Sequence, residues 1–145
     1  MPDRETIERA REDAREGKSP STQAAEFVRE EMHHIREGKH GAASTKQAIA
    51  IGLSKARRSG VKLPAKGSAR TRKKAQQDVV ASRSKRKPSS TRSRATAKAL
   101  KRERRSAASH SALTRQAKST ASKRGASARS QSARKAADTR SRKAA

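Results

Sequence analysis

KQAIAIGLSKARRSGVKLP, residues 46–64, holds Ile49, Ile51, Leu53, Val61 and Leu63 in a chain that is otherwise mostly polar, charged or Ala/Ser. One continuous helix from Thr45 to Ser59 places Ile49, Leu53 and Ala56 on a single face, at the 3.6-residue period. Its start is marked by Ser44-Thr45-Lys46-Gln47, a capping box in which Ser44 and Gln47 each bind the other's backbone N–H. Its end is marked by Gly60, which suits the left-handed C′ position and lets Val61 fold back toward Ala56; Pro64 bars continuation. The competing reading is a helix-turn-helix, with Gly52 in the turn and Ser54 opening a recognition helix. It fails because Arg58 stands where that helix needs an apolar residue, and Gly60 cuts it short. The continuous helix carries Gly52 at a cost of about 1 kcal/mol relative to Ala, and a glycine kept there points to close approach of another helix. Ile51 lies roughly opposite Ile49. Its exposure would favour a partner or dimer face; its burial would mean a fuller three-helix core.

Two further helices precede this one. In KSPSTQAAEFVREEMHHIREG (18–38) Ser19 can cap, Pro20 suits the first helical position, and Gly38 is a stop. Ala24, Phe27, Val28, Met32 and Ile35 form its apolar face. Asp3 to Glu16 reads as a surface helix with a thin stripe, Ile7, Ala10 and Ala14, with Glu5–Arg9, Glu8–Arg11 and Glu12–Arg15 at pairing distance and Gly17 at its end. The short link 39–43 predicts an antiparallel or angled pair for the second and third helices. About ten apolar side chains in some sixty residues make a marginal core. The fold expected is all-α: a small two- or three-helix head over 1–64, with helices at about 3–16, 20–37 and 45–59. Phe27, Val28, Met32, Ile35, Ile49, Ile51 and Leu53 are candidates for a partner face, including that of a homodimer.

Charge divides the 145-residue chain sharply. Its formal net charge is +26. Residues 1–64 hold 13 Lys/Arg and 10 Asp/Glu, net +3; residues 65–145 hold 26 Lys/Arg and 3 Asp/Glu, net +23. Ala, Ser and Thr make up 40 of the last 81 residues, which retain only Val79, Val80, Leu100 and Leu113 as large apolar side chains. Such composition cannot bury enough apolar surface to offset chain entropy. The segment 65–145 therefore reads as a long disordered or nascent-helical basic tail. Ala, Lys and Arg favour helix while like charges oppose it, so neutralising partners would turn stretches such as Ala95 to Lys118 helical.

A cationic polymer of this kind points to nucleic acid. The net +23 matches phosphates along about 40 Å of duplex, on the order of a dozen base pairs. The candidate phosphate-binding residues are Arg57, Arg58 and Lys62 at the end of the head, and Arg70, Arg72, Lys73, Lys74, Arg83, Lys85, Arg86 and Lys87 after it. Lys101, Arg102, Arg104, Arg105, Lys123, Arg124, Arg134, Lys135, Arg140, Arg142 and Lys143 complete the set, and Lys55 extends the basic surface into the head. Residues 65–145 contain no Phe, Tyr or Trp to stack on bases, which weakens single-strand and RNA-motif readings. SKRKPS (84–89) lacks the core of a minor-groove hook; in a eukaryotic host it would read as a nuclear import signal. DNA bound through its backbone, with little sequence preference, is the partner expected. RNA or ribosome association, and an adaptor docking through the head, are the alternatives.

Other chemistry finds little support. There is no cysteine. No Gly-rich phosphate loop or Gly-x-Ser-x-Gly elbow is present, so no enzyme and no cofactor are expected. EEMHHIREGKH (30–40) invites a metal reading through Glu30-x-x-His33 and Glu31-x-x-His34, but those pairs overlap on one helix where a di-iron site needs two. They are read as solvent-facing, and no metal is expected. The charged start and the lack of any membrane-length apolar run predict a cytoplasmic, nucleoid location with no membrane contact.

EEMHHIREGKHGAASTKQAIAIGLSKARRSGVKLP (30–64) resembles a bacterial family of small basic proteins of unknown function, often labelled DNA-binding. Its hallmark is a Met-His-rich helix end, a short Lys/His/Gly link and a KQAIAI-x-L-S-x-A-R helix. Where the family commonly has an acid and an aromatic after Met-His, this chain has His34 and Ile35. In composition alone, 65–145 resembles linker-histone-like bacterial proteins. Neither resemblance supplies a catalytic site, and the reading as a nucleoid-associated DNA binder rests on the charge partition.

Overall fold

Glycine punctuation sets the first three helices. In the computed structural model, which describes residues 2–84 and 89–144, α1 spans Arg4–Arg15, α2 Pro20–Arg36 and α3 Thr45–Arg58. At the end of α3, Gly60 adopts φ +97°. Gly60 N–H bonds the Arg57 carbonyl and Val61 N–H bonds the Ala56 carbonyl, at 3.0 and 3.1 Å. This double bond satisfies carbonyls that a helix end leaves open, and only glycine takes the left-handed turn without strain. Gly17 and Gly38 close α1 and α2 in the same way. At the other end of α3, Ser44 Oγ accepts from Gln47 N–H, but Gln47 Oε1 accepts from Ala43 N–H rather than from Ser44. The box is thus shifted by one residue on its return arm.

Helix α3 runs unbroken through Gly52. A Cβ built there would lie 2.8 Å from Val28 Cα and 3.0 Å from Val28 N, so α2 and α3 meet with almost no side chain between their backbones. Ala10, Ala24, Phe27, Ala56 and Val61 form one buried cluster, flanked by half-buried Ile7, Leu53 and Leu63. On α1 the buried line is Thr6, Ala10 and Asp13, while Ala14 faces solvent.

The expected disordered or nascent-helical tail does not exist. Helices α4 (Ala69–Arg83), α5 (Ser90–Arg102), α6 (His110–Lys123) and α7 (Ala126–Ala144) take up most of the described residues beyond 64, with a 3₁₀ turn at Arg105–Ala108. Two causes act together. Ala, Lys and Arg are strong helix formers, and serine caps place the starts: Ser68 Oγ accepts from Thr71 N–H and Ser89 Oγ from Arg92 N–H. Long-range anchors then add what propensity lacks. Asp78 on α4 is 2% exposed and accepts from Ser54 Oγ at 2.8 Å and Arg58 Nε at 3.0 Å, tying α4 to α3. Residues 100–108 strap the link between α2 and α3: Gly41 N–H bonds the Leu100 carbonyl, Ala42 N–H the Arg104 carbonyl, and buried Thr45 Oγ1 the Ala107 carbonyl at 2.7 Å. Arg36 Nε donates to the Ala108 carbonyl, and Ala107 and Ala108 are buried. A small head bounded at residue 64 is therefore incomplete as a packing unit.

The contacts divide the chain into two units, 1–109 and 110–145. The first contains α1–α5, the 3₁₀ turn and the core. The second contains α6 and α7, where Arg129 Nη1 closes the end of α6 by donating to the Ala121 and Arg124 carbonyls. Among the described residues no helix is long and apolar enough to cross a membrane.

Three of the seven apolar candidates for a partner face are consumed inside the chain. Phe27 and Ile35 are fully buried and Met32 nearly so, because α1, α3 and the strap cover α2 from several sides. Val28, Ile49, Ile51 and Leu53 are half-buried. Ile51 is thus neither a free apolar face nor a sealed core residue.

Candidate functional site

Two features stand out: a polar cluster on α2 and the cationic surface of the later helices. In the cluster, Glu30 is 5% exposed and Glu31 is fully buried. Both were expected to face solvent. They are buried because α2 is covered on this side too, and α3 supplies the compensating charge. Lys55 Nζ lies 3.0 Å from Glu30 Oε1 and 2.8 Å from Glu31 Oε2. The other Glu31 oxygen lies 3.2 Å from His40 Nε2. Neither Glu31 oxygen receives a well-aligned hydrogen bond; charge alone meets it. His34 comes up beside them, with Nδ1 3.8 Å from Glu30 Oε1 and Nε2 3.2 Å from Asp3 Oδ2. Its side chain is 12% exposed, whereas His33 points to solvent. Next along, Glu26 takes Arg9 and Arg29 at 3.1 Å each.

This cluster went unrecognised because its parts come from α2, the link and α3. One local signal was available. Lys55 follows Ile51 by one helical turn, on the apolar half of α3 and ahead of Arg57 and Arg58, and a lysine among those apolar residues calls for buried acids.

Burial opposes the charge on Lys55, but Glu31 and Glu30 outweigh it, and the pKa is raised above the ordinary 10.5. A raised lysine contributes stability that is complete below the unfolded-state value and lost as pH climbs through the folded-state value. Lys55→Met, which leaves two acids uncompensated, is expected to cost on the order of 3 kcal/mol at pH 7. Thermal melts followed by circular dichroism should show the gap between wild type and Lys55→Met holding from pH 7 to about 10 and narrowing above it. A gap independent of pH would mean that Lys55 acts by packing alone.

The basic candidates are dispersed over the surface. Lys62, Arg70, Arg72, Lys73, Lys74 and Arg83 are exposed, as are Lys101, Arg102, Arg104, Arg105, Lys123, Arg124, Arg134, Lys135, Arg140 and Arg142. Arg58 and Lys74 share Asp78, at 3.0 and 3.7 Å. Arg57 is half-buried, its Nε enclosed and unbonded. Lys85, Arg86 and Lys87, with the centre of the SKRKPS motif, lie outside the described residues, as does the side chain of Lys143. On α7, Arg134, Lys135, Arg140 and Arg142 fall on several sides of the helix at about 100° per residue, so no single stripe forms.

No curated protein and no solved structure matches the chain. Residues 15–67, from the end of α1 through α2, the link and α3, are similar to a family of unknown function, DUF6496, a span that holds every member of the α2 cluster except Asp3 and Arg9.

Proposed function

We propose that this protein binds DNA through its phosphate backbone, with little sequence preference, and that it acts in the nucleoid. The observation that supports this most is charge presented on helices: net +23 over residues 65–145, carried by side chains that stand exposed on α4, α5 and α7. Phosphate contacts position a protein without reading bases, and the lack of Phe, Tyr and Trp in this region leaves little aromatic surface for stacking on bases. Helical order alters the manner of binding. The cations sit on ready-made rods, so less chain entropy is lost on contact than for a disordered polymer.

The test is a fluorescence-anisotropy titration of two unrelated duplexes and a structured RNA by the full chain, freed of nucleic acid by nuclease and high-salt washing. Equal affinity for both duplexes, with DNA holding against the RNA competitor, is expected. Preference for the RNA would move the reading to an RNA-associated protein. Failure to bind either, with one cellular protein retained after nuclease, would favour an adaptor.

A further inference from the structure

We propose that Glu31, His34 and His40 form a binding site for a divalent cation of the zinc class, completed by Glu30 or Asp3. One ligand atom from each of Glu31, His34 and His40 lies within 4.8 Å of the others, and Asp3, Glu30 and His34 form a second such group around the same histidine. The two imidazole rings meet edge-on, with centroids 6.1 Å apart. Two imidazoles and a carboxylate are a donor set suited to zinc and its neighbours rather than to magnesium or calcium.

Hydrogen bonding around His40 argues for the same occupant. His40 Nδ1 lies 3.0 Å from the Gly41 carbonyl. A carbonyl only accepts, so Nδ1 carries a proton, and whenever the ring is neutral its Nε2 presents a lone pair. That lone pair faces Glu31 Oε1 at 3.2 Å, a carboxylate oxygen with no hydrogen bond and no exposure. In that state two acceptors face each other, and a cation between them removes the repulsion. Two ligands on tetrahedral zinc, at bond lengths of about 2.0–2.2 Å, stand roughly 3.3–3.6 Å apart, slightly more than the 3.2 Å seen.

The surroundings fit as well. A ring nitrogen donating to a backbone carbonyl is the usual way a ligating histidine is oriented, and a ligating carboxylate is itself held by a neighbour. Here Lys55 takes Glu31 Oε2 and leaves Oε1 for the metal. Asp3, Glu30 and Glu31 against Lys55 leave a local charge of −2 within a strongly cationic chain. A cleft beside α1 and α2 is lined in part by Asp3, Glu30 and His34, though not by Glu31 or His40, so an ion would enter past His34.

The experiment uses the full chain, stripped of nucleic acid, titrated with Zn²⁺ by calorimetry and with Co²⁺ by visible absorption. One ion per chain is expected, with a rise in melting temperature. His34→Gln and His40→Gln should each weaken binding tenfold or more, while His33→Gln, on the solvent side of the same helix, should bind as wild type. His40→Cys should retain Co²⁺ and add a thiolate charge-transfer band, a signature that a merely structural role for His40 would not produce. Absence of saturable binding, or equal losses in all three glutamine variants, would overturn the proposal; His40 would then be an imidazolium paired with Glu31.

Discussion

Between 50 and 200 mM salt, affinity of the full chain for duplex DNA is expected to fall by about five orders of magnitude. Ten phosphates neutralised give a log–log slope of about −9, and residues 65–145 hold 26 Lys/Arg, so ten engaged is a modest demand. Among the described residues few of these cations are tied up internally: Asp78 takes Lys74 along with Arg58 of α3, Arg72 donates to the Gly67 carbonyl, and Arg129 is held by the end of α6. Helix α7, with 19 residues, spans about 28 Å. Duplex DNA presents roughly 16 phosphates over that length, more than the helix's six Lys/Arg can neutralise. Several helices must therefore share the work, and no single residue should dominate. Glutamine at Arg134, Lys135, Arg140 and Arg142 together should flatten the slope by about 3–4 and weaken all sequences alike, since each lost phosphate contact removes about one unit. A slope near zero in the parent, or losses confined to one duplex, would sink the reading.

The stops and starts of α1–α3 were legible because they are local. Gly17, Gly38 and Gly60, with the serine caps, act within a few residues of themselves, and Gly52 signalled close packing because a helix gains nothing from a glycine otherwise. What lay beyond reading were the anchors. Thr45 to Ala107 spans 62 residues and Arg36 to Ala108 spans 72, and each joins residues with no apolar pattern to announce them. An average over 65–145 shows only cations and small residues. Two buried alanines and one buried aspartate, at Ala107, Ala108 and Asp78, are enough to change the outcome, yet they vanish in such an average. The same holds for the cluster on α2. Glu30 and Glu31 look solvent-facing on a helical wheel until Lys55, 25 and 24 positions away, is placed over them.

The link between α2 and α3 offers the sharpest structural test. A Cβ at Gly41 would collide with the Glu103 carbonyl, and the Arg104 carbonyl oxygen lies 2.8 Å from it. These are backbone atoms that cannot swing aside. Gly41→Ala is therefore expected to lever the strap away. The hydrogen bonds from Gly41 N, Ala42 N and Thr45 Oγ1, at about 1 kcal/mol each, and the cover over Ala107 and Ala108 would go with it. A loss of about 3 kcal/mol, or roughly 15 °C in melting temperature, follows, and His40, the neighbour of Gly41, would shift from Glu31, lowering Zn²⁺ affinity in parallel. Gly52→Ala sets up a closer contest. Alanine gains about 1 kcal/mol of helix propensity, but its Cβ meets Val28 Cα at 2.8 Å, and overpacking against backbone costs about 1–3 kcal/mol. A net loss near 1 kcal/mol is expected for Gly52→Ala, with a larger one for Gly52→Leu, and neither should touch Zn²⁺ affinity as Gly41→Ala does. Gly125→Ala, with nothing within 4 Å, is the control that should melt as wild type. If Gly41→Ala melts with it, residues 100–108 do not hold the link, and unit 1 would end before them.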